Sequence, residues 1–411
     1  MKKAIYFFLL VTSFGLHDSV YAEAREAAKS AFDEDVDFLS KYGDVIVLND
    51  PSGRSRIAVM PSLQGRVMTS TPSGTGNLSY GWINRALFES GEISPQKNAF
   101  GGEERLWLGP EGGQFSIFFA ANSSFTRPNW FTPAMMDRDR WDVAAQDAHS
   151  VAFTKSATLT NYSKTKFDIK VSREIRVLDT GDALAELGVT GNGQLTSVAY
   201  QTVNDLENTG KAAWNQETGM LMIWLLGRHN PSSDTTIIVP IHADKGKMLG
   251  PVLNGEYSAR VPKDRLTVDD NAVFFRGDGE HRSKIGLTAE RATGLLGTYN
   301  PTNQTLTIIK YTTGVPGDVF VNQKWELQEH PFHGGDVVNA YNGGPTATGE
   351  RPFTPFYELE TSSPARALKP GERLRFVQTT AHFQGETEAL NGLAMSLLGV
   401  SLDQVSNAFT K

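Results

Sequence analysis

FDIKVSREIRVL, residues 167–178, alternates apolar and polar side chains, and its period settles the class of fold. Phe167, Ile169, Val171, Ile175 and Val177 fall on one face; Asp168, Lys170, Ser172, Glu174 and Arg176 fall on the other. A sustained period of two is a strand with one face in a core. Arg173 lands on the apolar face. A bulge that shifts the phase is the simpler reading, and an arginine aimed into a lined cavity is the other.

The same pattern extends in both directions. DVFVNQKWEL (318–327) alternates as cleanly, with Val319, Val321, Trp325 and Leu327 opposite Asp318, Asn322, Lys324 and Glu326. DVIVLND (44–50) and SRIAVMP (55–61), separated by Pro-Ser-Gly, read as a hairpin. Further strands are expected at 196–203, 221–226, 235–240, 272–277, 284–287, 305–311, 356–360 and 373–383, with turn signals between nearly all of them. So long a series with almost no helices argues for an all-β chain, a large antiparallel sandwich spanning residues 44–385. Short helices are expected at its two ends. One lies within residues 23–43 and stops at Gly43. The other lies within 386–411, where Leu390, Leu393, Ala394, Leu397 and Leu398 make one apolar face, Gly399 stops the helix, and Ser401 with Gln404 suggests a capping box for a last short helix.

Composition narrows the setting. Lys2 and Lys3, the apolar run 4–16 and Val20-Tyr21-Ala22 together read as a removable export signal over residues 1–22. The expected location is therefore periplasmic or extracellular, with no membrane insertion after the signal is removed. The chain has no cysteine, so the exported domain must be held by its core alone. A net charge of −7 and the absence of basic runs interleaved with aromatics argue against nucleic acid as a partner.

Three stretches concentrate groups that could carry chemistry. GGEERLWLGPEGG (101–113) places Glu103, Arg105 and Trp107 on one face if extended, with Leu106 and Leu108 on the other and Glu104 and Glu111 nearby. Acid, base and indole side by side suit a polar small molecule such as a sugar; an exposed hairpin with a weak Glu–Arg pair is the plain alternative. HPFHGGDVVNAYNGGP (330–345) reads either as a structural turn region or as a binding loop with Asp336, Asn339, Tyr341 and Asn342, in which His333 could serve as acid or base. His330 and His333 have metal-like spacing, but Pro331 disfavours a helix there and no third ligand follows, so neither a metal nor another cofactor is expected. FYELE (356–360) puts Glu358 and Glu360 on one strand face, where two carboxylates could raise each other's pKa and share acid and base work; a solvent-exposed strand face is the plain alternative. Arg66, after Gly65, could reach a ligand or equally make a surface salt bridge. Lys284 and Arg291 read better as solvated surface, and His242 as structural. No nucleophile elbow or phosphate loop is present.

PSLQGRVMTS, GGEERLWLGPEGG, VNDLENTGKAAW and FYELETSSPARALKPGERLRF occur in that order. In this the chain resembles the galactose mutarotase-like (aldose 1-epimerase-like) superfamily, and more closely an uncharacterised exported bacterial family within it, over roughly residues 40–385. The resemblance implies a β-supersandwich with a carbohydrate site on one concave sheet. Mutarotases pair a histidine acid with a glutamate base. Here the segment after Asn208, GKAAWNQETGMLMIWLLGRHNPS, lacks the histidine in its place, and His229 comes late. The fold and a sugar-binding surface are thus implied; the mutarotase reaction is not. The expected protein is an exported carbohydrate-binding or carbohydrate-processing one, or a non-catalytic envelope protein on the same fold that binds a glycan or a protein. Its catalytic candidates are Glu358, Glu360 and His333. Its binding candidates are Arg66, Glu103, Glu104, Arg105, Trp107, Glu111, Tyr341 and Asn342.

Overall fold

Two antiparallel layers face each other in the computed structural model, which describes residues 29–72, 78–190, 194–255, 257, 260–345, 349 and 354–410. The expected export signal lies outside the described residues. In chain order the first strands are β1 (Ile46–Asn49), β2 (Arg56–Met60), β3 (Arg66–Thr71), β4 (Arg105–Gly109), β5 (Asp142–Gln146), β6 (Ser150–Thr160), β7 (Lys166–Leu178), β8 (Thr196–Asn208) and β9 (Met222–His229). They continue as β10 (Thr236–Pro240), β11 (Leu266–Val268), β12 (Ala272–Arg276), β13 (Ser283–Thr288), β14 (Leu295–Asn300), β15 (Thr305–Tyr311), β16 (Asp336–Asn342), β17 (Tyr357–Ser362) and β18 (Arg373–Gln384).

One layer is a ten-stranded sheet, ordered β11-β12-β10-β14-β15-β18-β8-β7-β6-β5. The other joins a five-stranded sheet, β13-β16-β17-β9-β4, to the three-stranded β1-β2-β3 through a single bridge between Val67 and Glu104. The main core fills the space between the layers. Phe167, Ile169, Val171, Ile175 and Val177 of β7 all lie in it, at most 1% exposed, as the alternation requires. Arg173 is 1% exposed too, and β7 pairs with β6 and β8 without a register shift. The bulge is therefore corrected: the strand is regular and the guanidinium points into the sandwich.

Among the described residues five α-helices join these strands: α1 (Ala31–Leu39), α2 (Arg85–Ser90), α3 (Thr180–Leu187), α4 (Thr387–Leu398) and α5 (Leu402–Ser406). α2 and α3 interrupt the strand series, which the sequence pattern had left almost free of helices. The outer face of the ten-stranded sheet is covered by a second core, in which Leu306, Ile308, Ala381 and Phe383 meet Leu184, Leu390, Leu393 and Leu398. Gly399 ends α4 in the left-handed region at φ +68°, and the capping box of Ser401 and Gln404 opens α5. Because Leu402 and Val405 are buried in that second core, Ser401→Ala is expected to lower the unfolding free energy by about 1 kcal/mol in urea denaturation; an unchanged midpoint would count against the cap. Among the described residues no helix is long and apolar enough to cross a membrane.

Two expectations fail locally. Residues 318–327 form no strand: Val319 makes one bridge to Ala365, Trp325 packs on Trp130 and Phe119, and Leu327 is 67% exposed. The alternation there reflects isolated anchors of a loop. Conversely, the segment read as a binding loop contains β16, a central strand of the five-stranded sheet.

Candidate functional site

The outer face of the five-stranded sheet is polar, and its register explains what collects there. Leu106 and Leu108 of β4, Ile223 and Leu225 of β9, and Leu359 of β17 turn into the core. Their neighbours must face the other way. Cross-strand pairing then sets Trp107 opposite Trp224, and Arg228, Glu358, Tyr341 and Lys284 along one row. Arg105, Leu226, Glu360 and Asn339 form the next row. A cavity of about 390 Å³ opens over these residues, with Lys97 and Glu111 contributed by the flanking loops. A second of about 580 Å³ shares Glu111, Trp224 and Lys284 with it, so the two make one continuous groove. Both volumes suit a small polar ligand.

The groove is strongly charged. Glu358 Oε1 accepts from Arg105 Nη2 at 2.9 Å and from Arg228 Nε at 2.6 Å. Burial alone would raise this carboxyl, but Arg228 and Arg105 outweigh it and hold Glu358 far below the usual carboxylate range. Arg228 also lies over the Phe356 ring at 4.5 Å. Glu360 accepts from Lys284 Nζ at 2.9 and 3.1 Å and from Trp224 Nε1 at 3.1 Å. Burial would lower the Lys284 ammonium, yet Glu360 and Glu111 keep it raised. Glu111 moves the other way: burial pushes its carboxyl up, against the pull of Lys284 and Lys97. Lys97 makes no ion pair among the described residues, and its ammonium lies 5.0 Å from the Trp107 ring and 5.7 Å from Trp130. Burial, then Arg228 and Arg105, push it well down.

Six of the eleven catalytic and binding candidates therefore meet on this groove: Arg105, Trp107, Glu111, Tyr341, Glu358 and Glu360, and Asp336 and Asn339 of the expected binding loop line its second part. The other five lie elsewhere. Glu103 does not share a face with Arg105 and Trp107. It turns into the sandwich, where its Oε1 meets His382 Nε2 at 2.9 Å and accepts from Ser70 at 2.8 Å. Glu104 also points inward, onto Arg173 and Gln378. The phase breaks because Gly101 and Gly102 take φ of +98° and +106°, conformations open to glycine. Arg66 is buried outside the cavity and donates to the Gly101 carbonyl at 2.7 Å. Burial, with repulsion from Arg105, lowers its pKa to about 9. Asn342 is buried, accepting from the Gly279 amide and donating to Asp278. His333 is exposed on a turn and does not line the groove.

Lys97, Trp224, Arg228 and Lys284 complete the site without having been singled out for it. WLLGR carries the outward alternation of Trp224, Leu226 and Arg228, hidden within an apolar run. Lys284 and Arg291, read as solvated surface, are both engaged: Lys284 by Glu360, and the 4%-exposed Arg291 by Asp244 and the His242 carbonyl. Lys97 sits in a coil and has no pattern to reveal it. Among the described residues no three His, Asp or Glu side chains gather as a metal site would require.

Several solved structures are similar to this chain at low identity. A galactose mutarotase-like protein from Lactobacillus casei is 10% identical over 82% of this chain and 100% of its own, with a TM-score of 0.47. A galactose mutarotase related enzyme from Lactobacillus acidophilus is 8% identical over 84% and 97%, with a TM-score of 0.41. The Slr1438 protein of Synechocystis sp. PCC 6803 is 10% identical over 84% and 96%, with a TM-score of 0.48. The first two carry in their names the superfamily that the sequence motifs resemble. No curated protein matches the chain. The family of unknown function DUF6786 matches residues 30–409, and the chain belongs to that family.

Proposed function

We propose that this is an exported carbohydrate-binding or carbohydrate-processing protein, and that its ligand lies in the groove on the five-stranded sheet. One observation carries the reading: hydrogen-bonding carboxylates, guanidinium groups and indoles converge on one concave cavity from three adjacent strands, β17, β9 and β4. Fixed donors and acceptors beside aromatic surface are what a ring rich in hydroxyls needs. Export rests on residues 1–22, which read as a removable signal.

For processing, the groove offers a divided pair of carboxyls. Glu111 is held toward its neutral form and Glu358 toward its anion. Groups pushed apart in this way can act as proton donor and electrostatic partner at one pH. A purely binding role is favoured by a different observation. Glu358 and Glu360 are both already engaged by cations, which leaves them fixed acceptors and poor bases.

Titration calorimetry against a panel of mono- and oligosaccharides, with product analysis, tests both. Glu360→Gln is expected to weaken binding about tenfold, or ~1.4 kcal/mol. If the protein processes its ligand, Glu111→Gln keeps binding and loses turnover. Absence of binding by every saccharide at millimolar concentration would sink the proposal.

A further inference from the structure

Cations outnumber carboxyls in the groove although the whole chain carries a net charge of −7. At one end the account is balanced: Lys284 and Glu360 lie 2.9 Å apart. At the other it is not. A single oxygen of Glu358 serves both Arg105 and Arg228. Lys97 adds a third cation with no ion pair among the described residues, and Arg127 stands at the rim, over Trp130 at 4.4 Å. Arg105 and Arg228 are each 2% exposed, yet Arg105 Nε and Arg228 Nη1 find no acceptor among the described residues. Buried donors left without acceptors, on cations that repel one another, are costly unless a counter-charge arrives.

We infer that the Lys97–Arg228 end of the groove takes an oxyanion, the carboxylate or phosphate of an acidic saccharide. This rests on the carbohydrate reading above and names the class of sugar. An oxyanion there accepts from the unpartnered guanidinium nitrogens and gives Lys97 the counter-charge that Glu358 cannot supply to three cations. Lys97, pushed down by burial and by Arg228 and Arg105, is drawn back up when the anion binds. Binding therefore takes up protons wherever the free amine is partly neutral.

The test is titration calorimetry of the full chain with four probes: an oligogalacturonate, its carboxyl-reduced neutral counterpart, a hexose 6-phosphate, and inorganic phosphate. The expected result is an acidic sugar binding at least about tenfold tighter than the neutral one. That advantage should shrink as salt rises from about 50 to about 500 mM. The uronate and phosphate arms identify which oxyanion the site takes. Lys97→Met keeps the aliphatic stem and should remove most of the preference. Arg127→Gln, at an exposed position, provides a second variant in which folding is not at issue. If neutral and acidic sugars bind equally, the oxyanion inference is overturned and the carbohydrate reading stands. If no saccharide binds, with or without inorganic phosphate binding, both are overturned.

Discussion

Arg173→Met will lower the unfolding free energy by about 3–5 kcal/mol, the usual cost of breaking a buried ion pair from one side. The Arg173 and Glu104 side chains are 0% and 1% exposed and lie 2.9 Å apart, joining the two layers through the middle of the core. Arg173 also donates to Asn204 Oδ1 at 2.7 Å and to the Gly65 carbonyl at 3.1 Å, and Glu104 accepts from Gln378 at 2.7 Å. Methionine conserves much of the volume, so the loss comes from charge. Glu104 is left as an anion between two sheets, with Gln378 its remaining donor among the described residues. Glu104→Gln in the Arg173→Met background removes that charge, and the double variant should be more stable than Arg173→Met alone. Urea unfolding of the two single variants and the double at neutral pH measures all three. A loss below about 1 kcal/mol in Arg173→Met would show that the pair does not hold the layers together.

The same residue shows where sequence reading succeeds and where it stops. β7 was legible because a strand with one dry face must alternate, and Phe167 through Val177 do so. Arg173 was misread because its partners come from β8, the residue before β3 and the residue before β4, and no local pattern records a pairing across two layers. GGEERLWLGPEGG divides in the same way. Arg105 and Trp107 obey alternation because the leucines beside them are drawn into the core. Glu104 obeys it too, pointing inward with those leucines; Glu103 disobeys it because the two glycines before it reset the backbone. A Cβ on Gly101 would lie 2.1 Å from the Trp82 carbonyl oxygen, so the chain passes there too closely for any side chain. FYELE delivered Glu358 and Glu360 to the groove, but two like carboxylates on one face suggested raised pKa values. Arg105 and Arg228, distant in sequence, reverse that for Glu358.

Acidification from pH 7 to 4 will cost about 3 kcal/mol of stability through His229. This ring is 1% exposed on the inward face of β9, stacked on Tyr357 at 5.2 Å and edge-on to His382 at 5.8 Å. Neither of its nitrogens has a partner among the described residues. Burial lowers its pKa from 6.5 to about 4, with Glu103 favouring the cation and His382 opposing it. The folded state thus binds the proton more weakly than the unfolded chain. The stabilising difference is fully present above the unfolded value of 6.5 and is lost as pH falls through about 4. Glu103 acts in the same direction at lower pH, since His382 overcomes burial and holds its carboxyl below the ordinary 4.5. Glu111 acts against both: its raised carboxyl makes the folded state the stronger proton binder, so acid stabilises it. His229→Phe isolates the histidine, because phenylalanine keeps the stack on Tyr357 and cannot titrate. Urea unfolding at pH 7, 5.5 and 4 should give the variant the flatter profile and the higher stability at pH 4. If variant and parent lose stability in parallel across that range, His229 is not the group that makes the fold acid-sensitive.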